Sequence, residues 1–300
     1  MKNVSFTQDL LPAVAKMLRS NMERDIMPDF LLREKTFGDP DFAPELTEVL
    51  IDDDQNIAAF IMGVVRQRDE GPMGYVKLFA VGYNYRRMGY GTKLLSSIEA
   101  KFRAAGVSKV RLFESWANYY MPGVDPFYTE AIAFFERNGY KKFNDTSNLS
   151  ADLTISDFDT SDEEKALEAD SIQIKRAEPN EKDEILDWID STWKAWHGEV
   201  EAAFRNDPVS LHIAKIDGKV RAFSAYECNN IGTGWFGPMG TGPEFRGKGV
   251  GGILLKRCLA DLKRMGYVKA IIPWVGPIPF YMHHCGSKVS RVFWRYEKEI

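Results

Sequence analysis

The chain has 300 residues, 44% hydrophobic and 27% charged, with a net charge of −4. That length accommodates two domains of ordinary size, each with its own core, and the acidic balance excludes a broad electrostatic attraction to nucleic acid. Cys228, Cys258 and Cys285, odd in number and scattered, read as reduced thiols of a cytoplasmic protein rather than a disulfide frame.

In chain order, a first strand is expected at residues 4–6 and a helix over 8–22, where Leu11, Val14, Ala15 and Leu18 share one side. Residues 1–6 lack the apolar core of a signal peptide, and the longest apolar stretch, 57–65, is too short to span a bilayer. Residues 25–45 hold Pro28, Gly38-Asp39-Pro40 and Pro44, so they are expected to be irregular or to contain short helices. Two strands flank the turn Asp53-Asp54-Gln55-Asn56. The extended run 75–81 leads into Gly82-Tyr83-Asn84-Tyr85-Arg86-Arg87-Met88-Gly89-Tyr90-Gly91, and a helix then runs to the stop at Gly106. A strand at 107–113, an aromatic insertion at 115–126, a helix over 129–138 and strands near 140–144 and 149–155 complete a first domain, 1–156.

The acidic segment 157–171, with Ser161-Asp162-Glu163-Glu164 as a capping box, reads as a linker. From Ile172 the plan restarts and fills 172–300. A helical region covers 181–205, a hairpin forms around Asp217-Gly218, and the run 235–241 enters a second loop. Leu254, Leu255, Cys258, Leu259 and Leu262 mark the helix behind that loop, which stops at Gly266. A strand at 268–274, a short helix from Pro277 through His284 and a strand at 287–296 close the sheet.

The second loop joins a strand to a helix. Such a join aims backbone N–H groups and the positive end of the helix dipole at one spot, which suits a phosphate or pyrophosphate. Gly247 and Gly249 let the backbone approach a ligand closely, and Arg246 and Lys248 add charge. Gly247, Gly249 and Gly252 also satisfy the dinucleotide pattern G-x-G-x-x-G. That pattern needs an acidic residue after the following strand to hold a ribose, and Ala270-Ile271-Ile272-Pro273-Trp274 supplies none. The deciding feature is a repeat at a displacement of 160 residues. Arg86, Gly89 and Gly91 fall on Arg246, Gly249 and Gly251 without a gap, Leu94-Leu95 on Leu254-Leu255, and Gly106 on Gly266.

R-x-x-G-x-G between a strand and a helix resembles the acyl-CoA loop of the GNAT superfamily of N-acyltransferases, here in tandem. The nearest type is the bacterial two-domain group that includes amino-sugar acetyltransferases. The resemblance implies an α+β fold of two GNAT-like domains, each a mixed, mostly antiparallel sheet flanked by helices and splayed where the acyl chain enters. It also implies acetyl-CoA as co-substrate. Pantetheine would lie on the backbone of Met239, Gly240 and Thr241, and on residues 78–81 of the first half. The pyrophosphate would sit on Arg246, Gly247, Lys248, Gly249, Val250 and Gly251, and on Arg86, Arg87, Gly89 and Gly91.

The family commonly draws its acid from a tyrosine in F-Y-x-x-x-G. Phe280-Tyr281-Met282-His283-His284-Cys285-Gly286 resembles that pattern with one extra residue before the glycine. The first half has Phe134-Phe135-Glu136-Arg137-Asn138-Gly139, where Phe135 has no proton to give and Tyr128 lies nearby in sequence. The second half is therefore expected to be catalytic, with Tyr281 as acid. Glu227, at the end of a strand expected to border the cleft, is the candidate base, a solvated carboxylate being the alternative. His283 and His284 read as an exposed face, and no third residue completes a metal site. Six of the seven tryptophans lie in the second half. Trp188, Trp193 and Trp196 read as core and lid, or as a sugar platform with Asp187, Asp190 or Glu199 beside it. The expected activity is acetylation of a small primary amine, an amino sugar such as glucosamine, by direct attack on the thioester. The alternatives are an aminoglycoside, polyamine or amino-acid acceptor, or acyl-CoA sensing without turnover.

Overall fold

The apolar run that is too short for a membrane becomes the centre of a sheet. In the computed structural model, which describes residues 1–300, Ala58 through Met62 are fully buried because helices cover both faces of their strand. The chain divides into two units, residues 1–146 with 293–300, and residues 147–292. No helix is long and apolar enough to cross a membrane.

The first unit begins with β1 (Lys2–Ser5), α1 (Leu11–Asn21), α2 (Asp29–Lys35), β2 (Thr47–Ile51), β3 (Ile57–Arg68) and β4 (Gly71–Val81). It continues with α3 (Tyr90–Ala104), β5 (Lys109–Leu112), α4 (Thr129–Arg137) and the start of β6 (Lys141–Asp152). Strands β1 to β4 form an antiparallel meander. After the α3 crossover, β5 returns parallel to β4 but pairs with it only from Gly74 to Val76. Beyond that point residues 78–81 leave β5 behind, and the sheet opens. Gly63 admits the helix that makes this crossover: a Cβ there would lie 2.6 Å from the Phe102 ring.

The second unit repeats the plan with α5 (Ser161–Glu168), β7 (Ile172–Arg176), α6 (Lys182–Trp193), α7 (His197–Ala203), β8 (Leu211–Ile216), β9 (Lys219–Tyr226) and β10 (Phe236–Thr241). Helix α8 (Val250–Arg264), β11 (Lys269–Ile272), α9 (Ile278–Cys285) and most of β12's first half follow, β12 running Lys288–Glu299. Strands β7 to β10 are antiparallel. Only the Trp235–Ile271 bridge joins β10 to β11. Helices α3 and α8 have 15 residues each and start 160 residues apart, so the repeat in the sequence is a repeat in structure.

The outer strands differ from the expected plan. The two strands expected at 140–144 and 149–155 are one strand, β6, whose end at 149–152 pairs with β11 inside the second unit. Residues 297–299 of β12 pair with β5 inside the first. The first unit therefore takes its last strand from the far end of the sequence, and the second opens with the end of β6, where domains 1–156 and 172–300 were expected. The expected linker contains α5, whose N-cap position is Thr160 rather than Ser161 and carries no side-chain cap hydrogen bond.

Candidate active site

Both loops adopt one backbone course. A short 3-10 turn, Tyr83–Tyr85 or Pro243–Phe245, precedes two residues in the left-handed region. These are Arg87 (φ 63°) and Gly89 (φ 82°) in the first loop, and Gly247 (φ 78°) and Gly249 (φ 79°) in the second. Gly89 and Gly249 are the helix N-caps, which turns the first amides of α3 and α8, free of helical partners, toward the loop. Gly91 and Gly251 follow inside the helices, and each faces a phenylalanine. A Cβ would lie 3.2 Å from Phe134 at the first site and 3.5 Å from Phe280 at the second. These contacts match α4 with α9, so that Phe135 corresponds to Tyr281 and Arg137 to His283.

The two sites differ in what lies beside the loop. In the first unit a cleft of about 1110 Å³ opens where β4 leaves β5. Leu78, Phe79, Ala80 and Val81 form one wall, and Arg86, Arg87, Gly89, Gly91 and Thr92 form its loop end. Glu130, Phe134 and Arg137 of α4, spaced at three and four, and Asn138 at its C-cap also line the cleft, with the Phe134 ring stacked on Phe79 at 5.4 Å. Tyr120, Asp125 and Tyr128 line the inner end. Neither Arg137 nor Asn138 was singled out by the sequence, although their helical spacing from Phe134 was the available signal. The Arg86 guanidinium ties the loop to its neighbours: it donates to the Val81 carbonyl at the end of β4 at 3.1 Å and to Glu130 of α4 at 3.0 Å. The Tyr128 hydroxyl donates to Asp25 at 2.7 Å and accepts from the Arg24 amide at 3.0 Å. Asp125, buried, is ion-paired with Arg24 at 3.0 Å.

In the second unit, Gly240 occupies the place of Ala80, and aromatic rings cover it. A Cβ there would lie 2.8 Å from Trp193 and 2.9 Å from Phe223. Trp188, Trp193 and Trp196 pack on one another and on Phe223, with ring centroids 5.4–6.0 Å apart, which is the core-and-lid reading. Met239 packs against the core and Thr241 against Gly251, while Val250 is fully buried and Arg246, Gly247 and Lys248 are exposed. Tyr281 is buried between Phe236 and Phe280, and burial pushes its phenol up to about 12.

Glu227 is buried as well and does not stand as a solvated strand end. Its carboxylate accepts from the amides of Gly232, Gly234 and Trp235 and from the Tyr267 hydroxyl. Burial raises its pKa against the pull of those donors. Four donors on one carboxylate describe a group that shapes the loop at 228–235. His284 lies over Gly252 and packs on Phe280 at 4.7 Å; burial first, then His283, lowers its pKa. No group of three metal-binding side chains occurs.

A profile of the Acetyltransferase (GNAT) family matches residues 13–140 and 172–286. No curated protein matches the chain in sequence. Among solved structures, the chain is similar to the glucosamine N-acetyltransferase region of a fungal multi-domain GH3 β-N-acetylglucosaminidase, with a TM-score of 0.82 at 20% identity. That match covers 99% of this chain and 38% of the fungal one, so this chain spans well under half of it. A GCN5-related N-acetyltransferase from Sphaerobacter thermophilus matches with a TM-score of 0.70 at 17% identity, covering 99% and 95% of the two chains. A tandem GNAT protein from the clavulanic acid biosynthesis pathway matches with 0.67 at 15%, covering 99% and 98%.

Proposed function

The chain belongs to the GNAT acetyltransferase family, and on that premise we propose that it moves an acetyl group from acetyl-CoA to a small primary amine, with the donor held in the first unit. The observation that carries this placement is the 1110 Å³ cleft beside the first loop. A long, flexible thioester needs an open groove next to its phosphate site. Ala80 faces such a groove, whereas Gly240 is covered by Trp193. The assignment reverses the expectation that the second half is catalytic. Pantetheine lies along residues 78–81, and the α3 amides hold the pyrophosphate.

The amine attacks the thioester carbonyl at the inner end of the cleft. A C–N bond forms, the C–S bond breaks, and the thiolate leaves. Tyr128 gives the sulfur its proton, and Asp25, bonded to that hydroxyl, takes the proton shed by the amine and returns it to the tyrosine. Asp125, Asp25 and Asn21 supply acceptors for an ammonium and for hydroxyls, the groups an amino sugar presents. The likeness to the fungal glucosamine N-acetyltransferase region supports that acceptor class.

A second reading rests on Tyr281, which holds the acid position in α9, and places the chemistry in the second unit. Thiol release with a panel of amines separates the two. Tyr128→Phe is expected to lower kcat on the order of 10²-fold, the usual loss of a general acid, while Tyr281→Phe stays near the parent rate. The opposite pattern would move the chemistry to the second unit.

A further inference from the structure

The motif arginine of the first cleft is not its free charge. Arg86 is clasped between the Val81 carbonyl and Glu130. Two other arginines line the same cleft, are exposed and have no ion pair: Arg87 on the loop and Arg137 on α4. Arg87 holds a backbone conformation (φ 63°) that the second loop gives to glycine. A side chain in the left-handed region is costly and persists where its surroundings require it. What that strain positions here is a guanidinium beside the α3 N-terminus. Arg137 stands on α4, one turn beyond Phe134, whose ring meets Gly91. The cleft thus presents cationic groups from two elements, the loop and α4.

Coenzyme A carries its phosphates in the same division: a pyrophosphate in the chain and a separate dianionic phosphate on the ribose. Resting on the reading of this cleft as the donor site, we propose that Arg137 seats the ribose 3′-phosphate, while Arg87 and the α3 amides take the pyrophosphate. The first unit then selects coenzyme A thioesters over their 3′-dephospho forms. The corresponding position in the second unit is His283, which lacks a permanent charge, so this selection belongs to the first unit alone.

Titration calorimetry on the full chain tests this with acetyl-CoA and 3′-dephospho-acetyl-CoA. The parent is expected to bind acetyl-CoA about tenfold or more tightly than the dephospho form, the effect of a charge-assisted contact. Arg137→Gln should lower acetyl-CoA affinity to that of the dephospho ligand and leave the latter unchanged, and Arg137→Lys should keep part of the preference. Arg87→Gln should weaken both ligands by the same factor. Equal binding of both ligands by the parent, or equal weakening of both by Arg137→Gln, overturns the assignment. Failure of the parent to bind acetyl-CoA at all is a different result, and it would remove the donor-site reading itself.

Discussion

Lys77 sits where its chemistry is least at ease, fully buried on β4 beside the first residue of the cleft wall. Asp39, also buried, accepts from Lys77 and, at 2.7 Å through both oxygens, from Arg66; Asp41 adds a second carboxylate to Arg66. Burial opposes ionisation of Asp39, but Lys77 and Arg66 hold its carboxyl below the usual range. For Lys77 burial wins over Asp39, with Lys35 and Arg66 adding repulsion, and its pKa falls to about 7. An unfolded lysine keeps its proton to roughly 10.4. Between about pH 7 and that value the unfolded chain binds a proton that the folded chain does not, so stability rises with pH over that window. Urea unfolding of the parent should show a gain on the order of 1 kcal/mol between pH 7 and pH 9, and Lys77→Met should lack it. Parallel pH profiles for the two proteins would show that Lys77 stays charged. None of this was legible in the sequence, where Lys77 stands inside an apolar lead-in to the loop and nothing local names Asp39 as its partner. The loop glycines were legible, because Gly89 and Gly249 must take positive φ wherever that turn forms. Glu227 shows the converse: a strand-end carboxylate in sequence, it folds back on amides up to eight residues ahead, a local curl with no periodicity to reveal it.

At the level of elements, the two units use one device, a strand that leaves its parallel neighbour before a glycine loop, and differ in whether the gap stays open. β4 pairs with β5 over three residues and then diverges. β10 touches β11 at one bridge, yet the end of α6 lays Trp193 across Gly240. The sequence showed both loops, since a displacement of 160 residues without a gap survives in the primary structure. It did not show which cleft is filled, because the filling side chain comes from a helix nearly fifty residues upstream of the strand it covers. Ala80 and Gly240 are cross-strand partners of Phe60 and Phe223 respectively, so the same exchange can be made in either unit. Ala80→Trp should fill the first cleft and lower acetyl-CoA affinity at least about tenfold, the factor given by 1.4 kcal/mol. Trp193→Ala should leave that affinity unchanged. Calorimetry on both folded variants decides the matter, and an Ala80→Trp protein that binds as tightly as the parent would place the donor elsewhere.

For the whole molecule, the decisive fact is that the first compact unit is not a contiguous stretch of sequence. The first unit includes residues 293–300, and the second starts at residue 147. Their contribution to the first unit is large. Phe293 and Tyr296 are in its core, the Tyr296 hydroxyl donates to Glu136 at 2.8 Å, Lys298 reaches Glu99, and Arg295 holds Glu114 with two bonds. A strand pattern tells which residues alternate between faces but not which strand lies alongside, so from sequence alone each domain is expected to close with its own final strand. The structure predicts that residues 1–156 alone, although they contain every residue lining the first cleft, do not form a binding-competent domain. Removing the C-terminal strand exposes the β5 edge and uncovers two core aromatics, each costing about 3–5 kcal/mol if truncated alone, a large share of the stability of an ordinary domain. The fragment is therefore expected to give a poorly dispersed NMR spectrum and no acetyl-CoA binding. Adding a peptide of residues 288–300 should restore both, because it supplies the missing strand without touching the cleft. A fragment 1–156 that folds and binds acetyl-CoA unaided would show that the first unit closes its sheet with its own residues.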